Sequence, residues 1–120
     1  ELIDDDDDVR AVLRMMLENR GFAVFEASNG ESGLETFMEY MHEIDVVLLD
    51  MTMPKMSGDE VFLQITELAP DTAVIVMSGY SLHDTRERFA DKISAYIQKP
   101  FNFKQVMGAL SMAMARNRHA

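Results

Sequence analysis

The chain contains no cysteine among its 120 residues. That excludes a disulfide framework and a thiolate metal site, and it is the usage expected of a cytoplasmic domain. No apolar run approaches the length of a membrane span, about 18 residues, and no signal-peptide pattern is present. This domain is therefore not expected to meet a membrane itself. Basic residues are scarce, 11 Lys and Arg against 21 Asp and Glu, for a net charge of −10. Direct nucleic-acid binding is not expected, because phosphate contacts need a basic face.

What is present points to one globular domain. The hydrophobic fraction of 48% and the length suffice for a real core. The 11 methionines read as flexible core filler. Leu2-Ile3 is a short apolar start that runs straight into acids, so the first strand is expected to begin before residue 1. With no initiator methionine, the chain reads as a piece of something longer, and residues 1–120 as a single domain.

Strand-like and helix-like segments alternate. Val9, Val12, Leu13, Met16 and Leu17 follow helical spacing up to a glycine stop at Arg20-Gly21. Phe22 to Ala27 reads as a second strand. After Asn29-Gly30 comes a helix with Leu34, Phe37, Met38 and Met41 on one face. Ile44 to Leu49 is so apolar that it reads as a strand buried on both faces. A third helix starts near Ser57 to Asp59, carries Val61, Ile65 and Leu68, and stops before Pro70. Ala73 to Met77 is a fourth strand, a polar helix follows around His83 to Asp91, and Ala95 to Gln98 is a short fifth strand. Phe103 to Met114 closes the chain as a helix bearing Val106, Met107, Leu110 and Met114. Five such units predict an α/β domain, a parallel sheet with right-handed crossovers and helices on both faces.

The chemistry-bearing residues gather at strand ends, where open α/β sheets place their sites. Asp50 ends the third strand, Asp4 and Asp5 follow the first, Ser78 ends the fourth and Lys99 follows the fifth. Alone, each has a plain explanation: a turn or cap for Asp50 and Ser78, a surface position before proline for Lys99. The run Asp4 to Asp8 would likewise favour the next helix through its dipole, which covers Asp7 and Asp8. A calcium loop fails, since its sixth position is Val9 rather than Gly and its twelfth is Met15 rather than Glu. If the first strand neighbours the third, Asp4 and Asp5 lie beside Asp50. Three carboxylates repel one another, and a hard divalent cation such as magnesium, with manganese as a substitute, relieves them. Asp6 competes for a place in the acid pair. A hydroxyl and an ammonium around such a cluster make a phosphoryl cradle in which Asp50 is the carboxylate able to attack.

Four pieces in order carry a family resemblance over nearly the whole chain: Ile3-Asp4-Asp5; Leu49-Asp50-Met51-Thr52-Met53-Pro54 with Ser57-Gly58; Met77-Ser78-Gly79; and Tyr96-Ile97-Gln98-Lys99-Pro100-Phe101. The chain resembles the receiver domains of two-component response regulators. The resemblance implies a flavodoxin-like doubly wound (βα)5 fold with strand order 2-1-3-4-5. It implies Mg-dependent transfer of a phosphoryl group from a phosphohistidine to Asp50, assisted by Lys99 and Ser78. It implies metal ligation by Asp5, Asp50 and the Thr52 carbonyl, with Asp4 acting through water, and a cis Lys99-Pro100 peptide. Ser78 and Tyr96 would form the switch, and Thr52 and Tyr80 would tune the lifetime of the acyl phosphate. The partner would be a histidine kinase or histidine phosphotransfer protein. The surface made by the fourth helix, fifth strand and last helix would receive a partner or a second copy.

The same resemblance makes the domain a phosphoacceptor that promotes its own phosphorylation and dephosphorylation rather than a conventional enzyme. The wording of its motifs is similar to receivers attached to hybrid sensor histidine kinases, so a membrane-anchored parent fits as well as a regulator. The chain departs from the family at Lys92, Ile93 and Ala95, where glycines and alanine are usual. A magnesium phosphohydrolase with an aspartate nucleophile would need a second acid two residues on, and Thr52 stands there. A degenerate receiver serving only as an interaction module would lack the acceptor, an acid or the lysine, and all are present.

Overall fold

The computed structural model describes residues 1–79 and 93–118. Five parallel strands, β1 (Leu2–Ile3), β2 (Glu26–Ala27), β3 (Val46–Asp50), β4 (Ala73–Ser78) and β5 (Ala95–Gln98), lie in the order β2-β1-β3-β4-β5. Four described helices pack on them: α1 (Asp7–Asn19), α2 (Gly30–Tyr40), α3 (Gly58–Leu68) and α4 (Phe103–Arg118). The expected doubly wound order is present, with the direction of winding reversing between β1 and β3. The predicted helix around His83 to Asp91, together with Tyr80 and Lys92, falls outside the described residues.

Alternation along the central strands divides the core in two, because successive side chains of a strand face opposite ways. Val47, Leu49, Val74 and Val76 join Leu34, Phe37, Val61 and Ile65 on the α2–α3 face. Leu48, Ile75, Met77 and Ile97 join Leu13, Leu17, Val106 and Leu110 on the face of α1 and α4. Every residue of β3 and β4 is buried, as a strand covered on both sides requires.

Local chemistry explains the element boundaries. Asp6 caps α1 by accepting from the amides of Asp8 and Val9, and Asp7 and Asp8 occupy the first turn where the dipole favours anions. The helix thus starts before Val9, and Gly21 follows it with a φ of 89°, a conformation that suits glycine. Asn29 and Ser57 cap α2 and α3 by accepting from Ser32 and Glu60 amides. α3 ends at Leu68, one residue before the extended Ala69 that precedes Pro70.

Several expectations are corrected. The second strand pairs only over Glu26–Ala27, because its one neighbour, β1, offers just Leu2 and Ile3. Phe22 and Val24 still pack on the core, but without a ladder. Ile44 is not in β3, since its amide donates to the Tyr40 carbonyl and closes the end of α2. Val12, Met38 and Leu68 have helical spacing but lie at the rim of their faces, exposed. α4 runs on past Met114 to Arg118. Among the described residues no helix is long and apolar enough to cross a membrane.

Candidate phosphoacceptor site

Register builds the site. Ile3 pairs with Leu49, so one residue further along each strand Asp4 comes level with Asp50. Asp50 in turn pairs with Met77, and Ser78 with Gln98. The carboxyl ends of β1, β3, β4 and β5 therefore deliver Asp4, Asp50, Ser78 and Lys99 to one edge. Gly58 lets α3 start against this edge: a Cβ there would stand 2.6 Å from the Met51 Cα and 2.7 Å from the Asp50 carbonyl oxygen.

Asp4, Asp50 and Ser78 are buried, whereas Asp5 is exposed. Carboxylate oxygens of Asp4, Asp5 and Asp50 lie within 4.8 Å of one another. At such a distance each pair of charges repels by roughly 3–4 kcal/mol at an effective dielectric of about 20. Lys99 answers part of this, its Nζ lying 3.0 Å from Asp4 Oδ2 and 3.3 Å from Asp50 Oδ1. The Asp6 amide donates to Asp4 Oδ1 at 2.9 Å. The Thr52 amide and hydroxyl both donate to Asp50 Oδ1, each at 3.2 Å. The Lys99 amide donates to the Ser78 carbonyl at 2.8 Å, and Lys99-Pro100 is cis.

Titration behaviour follows from this crowding. Burial pushes the Asp4 carboxyl above its usual range; the Asp6 amide opposes, Asp50's charge adds to the rise, and Lys99 opposes it. Asp5 is also raised, by desolvation first and then by its contact with Asp50. For Lys99, burial alone would lower the ammonium, but the hydrogen bond and charge of Asp4, with Asp50, outweigh it and hold the group above its ordinary value. Carboxyls raised beside a lysine mark a site that favours added positive charge. Oxygen-only donors clustered with one exposed member suit a hard divalent cation.

The acid run resolves here. Asp4 and Asp5 join Asp50, and Asp6 is spent on the helix cap. Tyr96 lies on β5 opposite Val76, packs with the α2–α3 core, and its hydroxyl oxygen is shielded from solvent. Because Val76 and Ser78 share a face, Ser78 and Tyr96 are offset neighbours on one side of adjacent strands. The departing residue Ile93 is buried in the same core. Two features were missed in the sequence. Lys55 adopts a φ of 66° in the loop after Asp50. Arg10, on the first helix, donates through Nη1 to the Asp4 carbonyl at 2.7 Å.

Comparison with known proteins agrees with this geometry. A family model described as "Response regulator receiver domain" matches residues 1–111. The chain is 35% identical over 106 residues to "Sensor kinase CckA" of Brucella abortus, covering 88% of this chain and 11% of that one. It is 29% identical over 118 residues to "Cell cycle transcriptional regulator CtrA" of Caulobacter vibrioides, covering 98% of this chain and 50% of that one. The chain thus spans half or less of these relatives' lengths. A receiver domain protein structure from Clostridium thermocellum superposes with a TM-score of 0.89 at 30% identity, covering 98% and 94% of the two chains.

Proposed function

On the premise that the chain belongs to the response regulator receiver domain family, we propose that Asp50 is the residue that accepts a phosphoryl group from a phosphohistidine. The domain is a receiver of two-component signalling, a phosphoacceptor rather than a conventional enzyme. The observation that carries the assignment is Asp50 buried at the end of β3 with Asp4, Asp5 and Lys99 around it.

In the proposed step an Asp50 carboxylate oxygen bonds to phosphorus as the bond from phosphorus to the histidine nitrogen breaks, the electron pair leaving on the imidazole. Thr52 and Lys99 are directed at Oδ1, which favours Oδ2 as the attacking atom. The acid triad can hold a metal. Magnesium is our choice, with manganese able to replace it; Asp5, Asp50 and the Thr52 carbonyl would hold it and Asp4 would reach it through water. When bound, the ion supplies charge that neutralises the phosphoryl oxygens. Lys99 neutralises a further oxygen and Ser78 donates to another.

The new charge and acceptor oxygens then draw Ser78 toward the acceptor. Tyr96, beside it on the same face, moves into the space Ser78 leaves, and the end of β5 shifts between two arrangements. Thr52 and Tyr80, two residues past Asp50 and Ser78, set the access of water to the acyl phosphate. A bulky Tyr80 slows its hydrolysis.

The family implies a histidine kinase as partner; a histidine phosphotransfer protein is the alternative donor. The face carrying β5 and α4 is the proposed seat of an output partner or second copy; the expected fourth helix of that surface lies outside the described residues. A cytoplasmic setting, with attachment to a longer sensor kinase or regulator, belongs to the same proposal.

Beryllium fluoride mimics an acyl phosphate and tests the reading in solution. With magnesium present it should shift the amide resonances of Asp50, Ser78, Tyr96 and Lys99 together. A spectrum that does not change, or changes equally in Asp50→Ala, would show that Asp50 is not the acceptor.

A further inference from the structure

We propose that Arg10 is a positioning residue for the cation site, holding the Asp4–Asp5 peptide so that the Asp5 carboxylate points at Asp50. This rests on reading Asp4, Asp5 and Asp50 as that site. Asp5 is its exposed member, so its direction depends on the peptide that carries it. The Asp4 amide donates to the Ala27 carbonyl at 3.2 Å, and the Asp4 carbonyl accepts from Arg10 Nη1 at 2.7 Å. Both ends of residue 4 are thereby fixed, one by β2 and one by a guanidinium.

That guanidinium is itself fixed. Its Nη2 meets Asp7 Oδ1 at 2.7 Å and its Nε lies 3.3 Å from Glu26 Oε1, with only 16% of the side chain exposed. Arg14 holds Glu26 from the other side. Three contacts in different directions use the planar fork, which a lysine cannot reproduce. Arg10 thus ties the loop bearing the acid pair to the edge of the sheet and to the first turn of α1.

The sign of the effect separates positioning from simple electrostatics. Removing a cation beside a cluster of carboxylates should by itself tighten binding of a metal ion. Loss of positioning should weaken it, and by more for Mg2+ than for Ca2+, because magnesium tolerates less departure from octahedral geometry.

Calorimetric titration of MgCl2 and CaCl2 into wild type, Arg10→Ala and Arg10→Lys decides the matter, with thermal melts to verify folding. Both variants are expected to bind Mg2+ roughly 10–100-fold more weakly, with a smaller loss for Ca2+. Arg10→Lys, which keeps the charge and should fold, is expected to resemble Arg10→Ala. Unchanged or tighter Mg2+ binding by the folded variants overturns the role of Arg10 and leaves the site standing. A wild type that binds no Mg2+ overturns both.

Discussion

The ammonium of Lys99 lies nearer to Asp4 than to the acceptor, 3.0 Å from Asp4 Oδ2 against 3.3 Å from Asp50 Oδ1. Before phosphorylation, then, Lys99 serves chiefly to neutralise a carboxylate that is 0% exposed. In the proposed product it is also free to contact the phosphoryl oxygens. One residue would thus both neutralise the buried acids of the resting fold and assist the proposed reaction.

Lys99→Ala should therefore cost stability as well as phosphorylation. The expected loss is about 1–3 kcal/mol, below that of a fully buried pair because the ammonium keeps some exposure. Urea denaturation with and without magnesium checks it, and the ion should restore part of the loss by compensating Asp4 and Asp50.

Removing one acid should have the opposite sign. Asp5→Asn relieves repulsion, so the metal-free variant should melt higher than wild type by roughly 3–6 °C, equivalent to about 1 kcal/mol for a domain of this size. It should also lose the rise in melting temperature that magnesium gives the wild type. A lower melting temperature without metal would contradict the crowding described at the site.

The pH dependence follows with a definite sign. Asp4 and Asp5 are raised in the folded state, so the metal-free fold binds their protons more tightly than the unfolded chain does. Stability from these groups is present at acid pH and falls as pH climbs from about 4 through their folded values. Lys99 is raised too, and its contribution holds until pH passes its ordinary value of about 10.4. Protons and magnesium compete for the same oxygens. Thermal melts should thus show the magnesium increment, and the gain in Asp5→Asn, largest near pH 7.5 and shrinking toward pH 4.

The loop after Asp50 gives paired predictions. Gly58→Ala drives a Cβ into backbone atoms of Met51 and Asp50 and should destabilise by about 1–3 kcal/mol, with slower phosphorylation because the acceptor shifts. Lys55→Gly relieves a left-handed backbone and should stabilise by roughly 1 kcal/mol. Chemical denaturation of the two variants reads both signs.

Ser78→Ala separates chemistry from switching. It should still acquire phosphate, more slowly, while the Tyr96 ring resonances stay near their unphosphorylated positions. Equal movement of Tyr96 in wild type and variant would remove Ser78 from the coupling.

Much of this was legible in the sequence because it lies in apolar runs and the residues that end them. Those runs place Asp50 and Ser78 at the ends of strands and Lys99 just past one, as the structure has them, and the sheet order agrees with the resemblance. What was not legible depends on neighbours far along the chain. The length of β2 is set by how little of β1 it can meet, and no local pattern in Phe22 to Ala27 encodes that. Val12, Met38 and Leu68 satisfy helical spacing, yet only the tilt of each helix on the sheet decides which apolar residues reach the core. Nothing in the local pattern singles out Arg10, since its partners Asp4 and Glu26 converge only in the fold. The roles of Asp4 and Asp6 differ by two positions in a run of five identical residues. Capping geometry tells them apart and composition does not.

The most direct test of the central claim is intact and peptide mass after incubation with acetyl phosphate and magnesium. One phosphoryl group should be gained, located at Asp50, dependent on the ion and absent in Asp50→Asn. No gain in wild type, or an equal gain in Asp50→Asn, would contradict it.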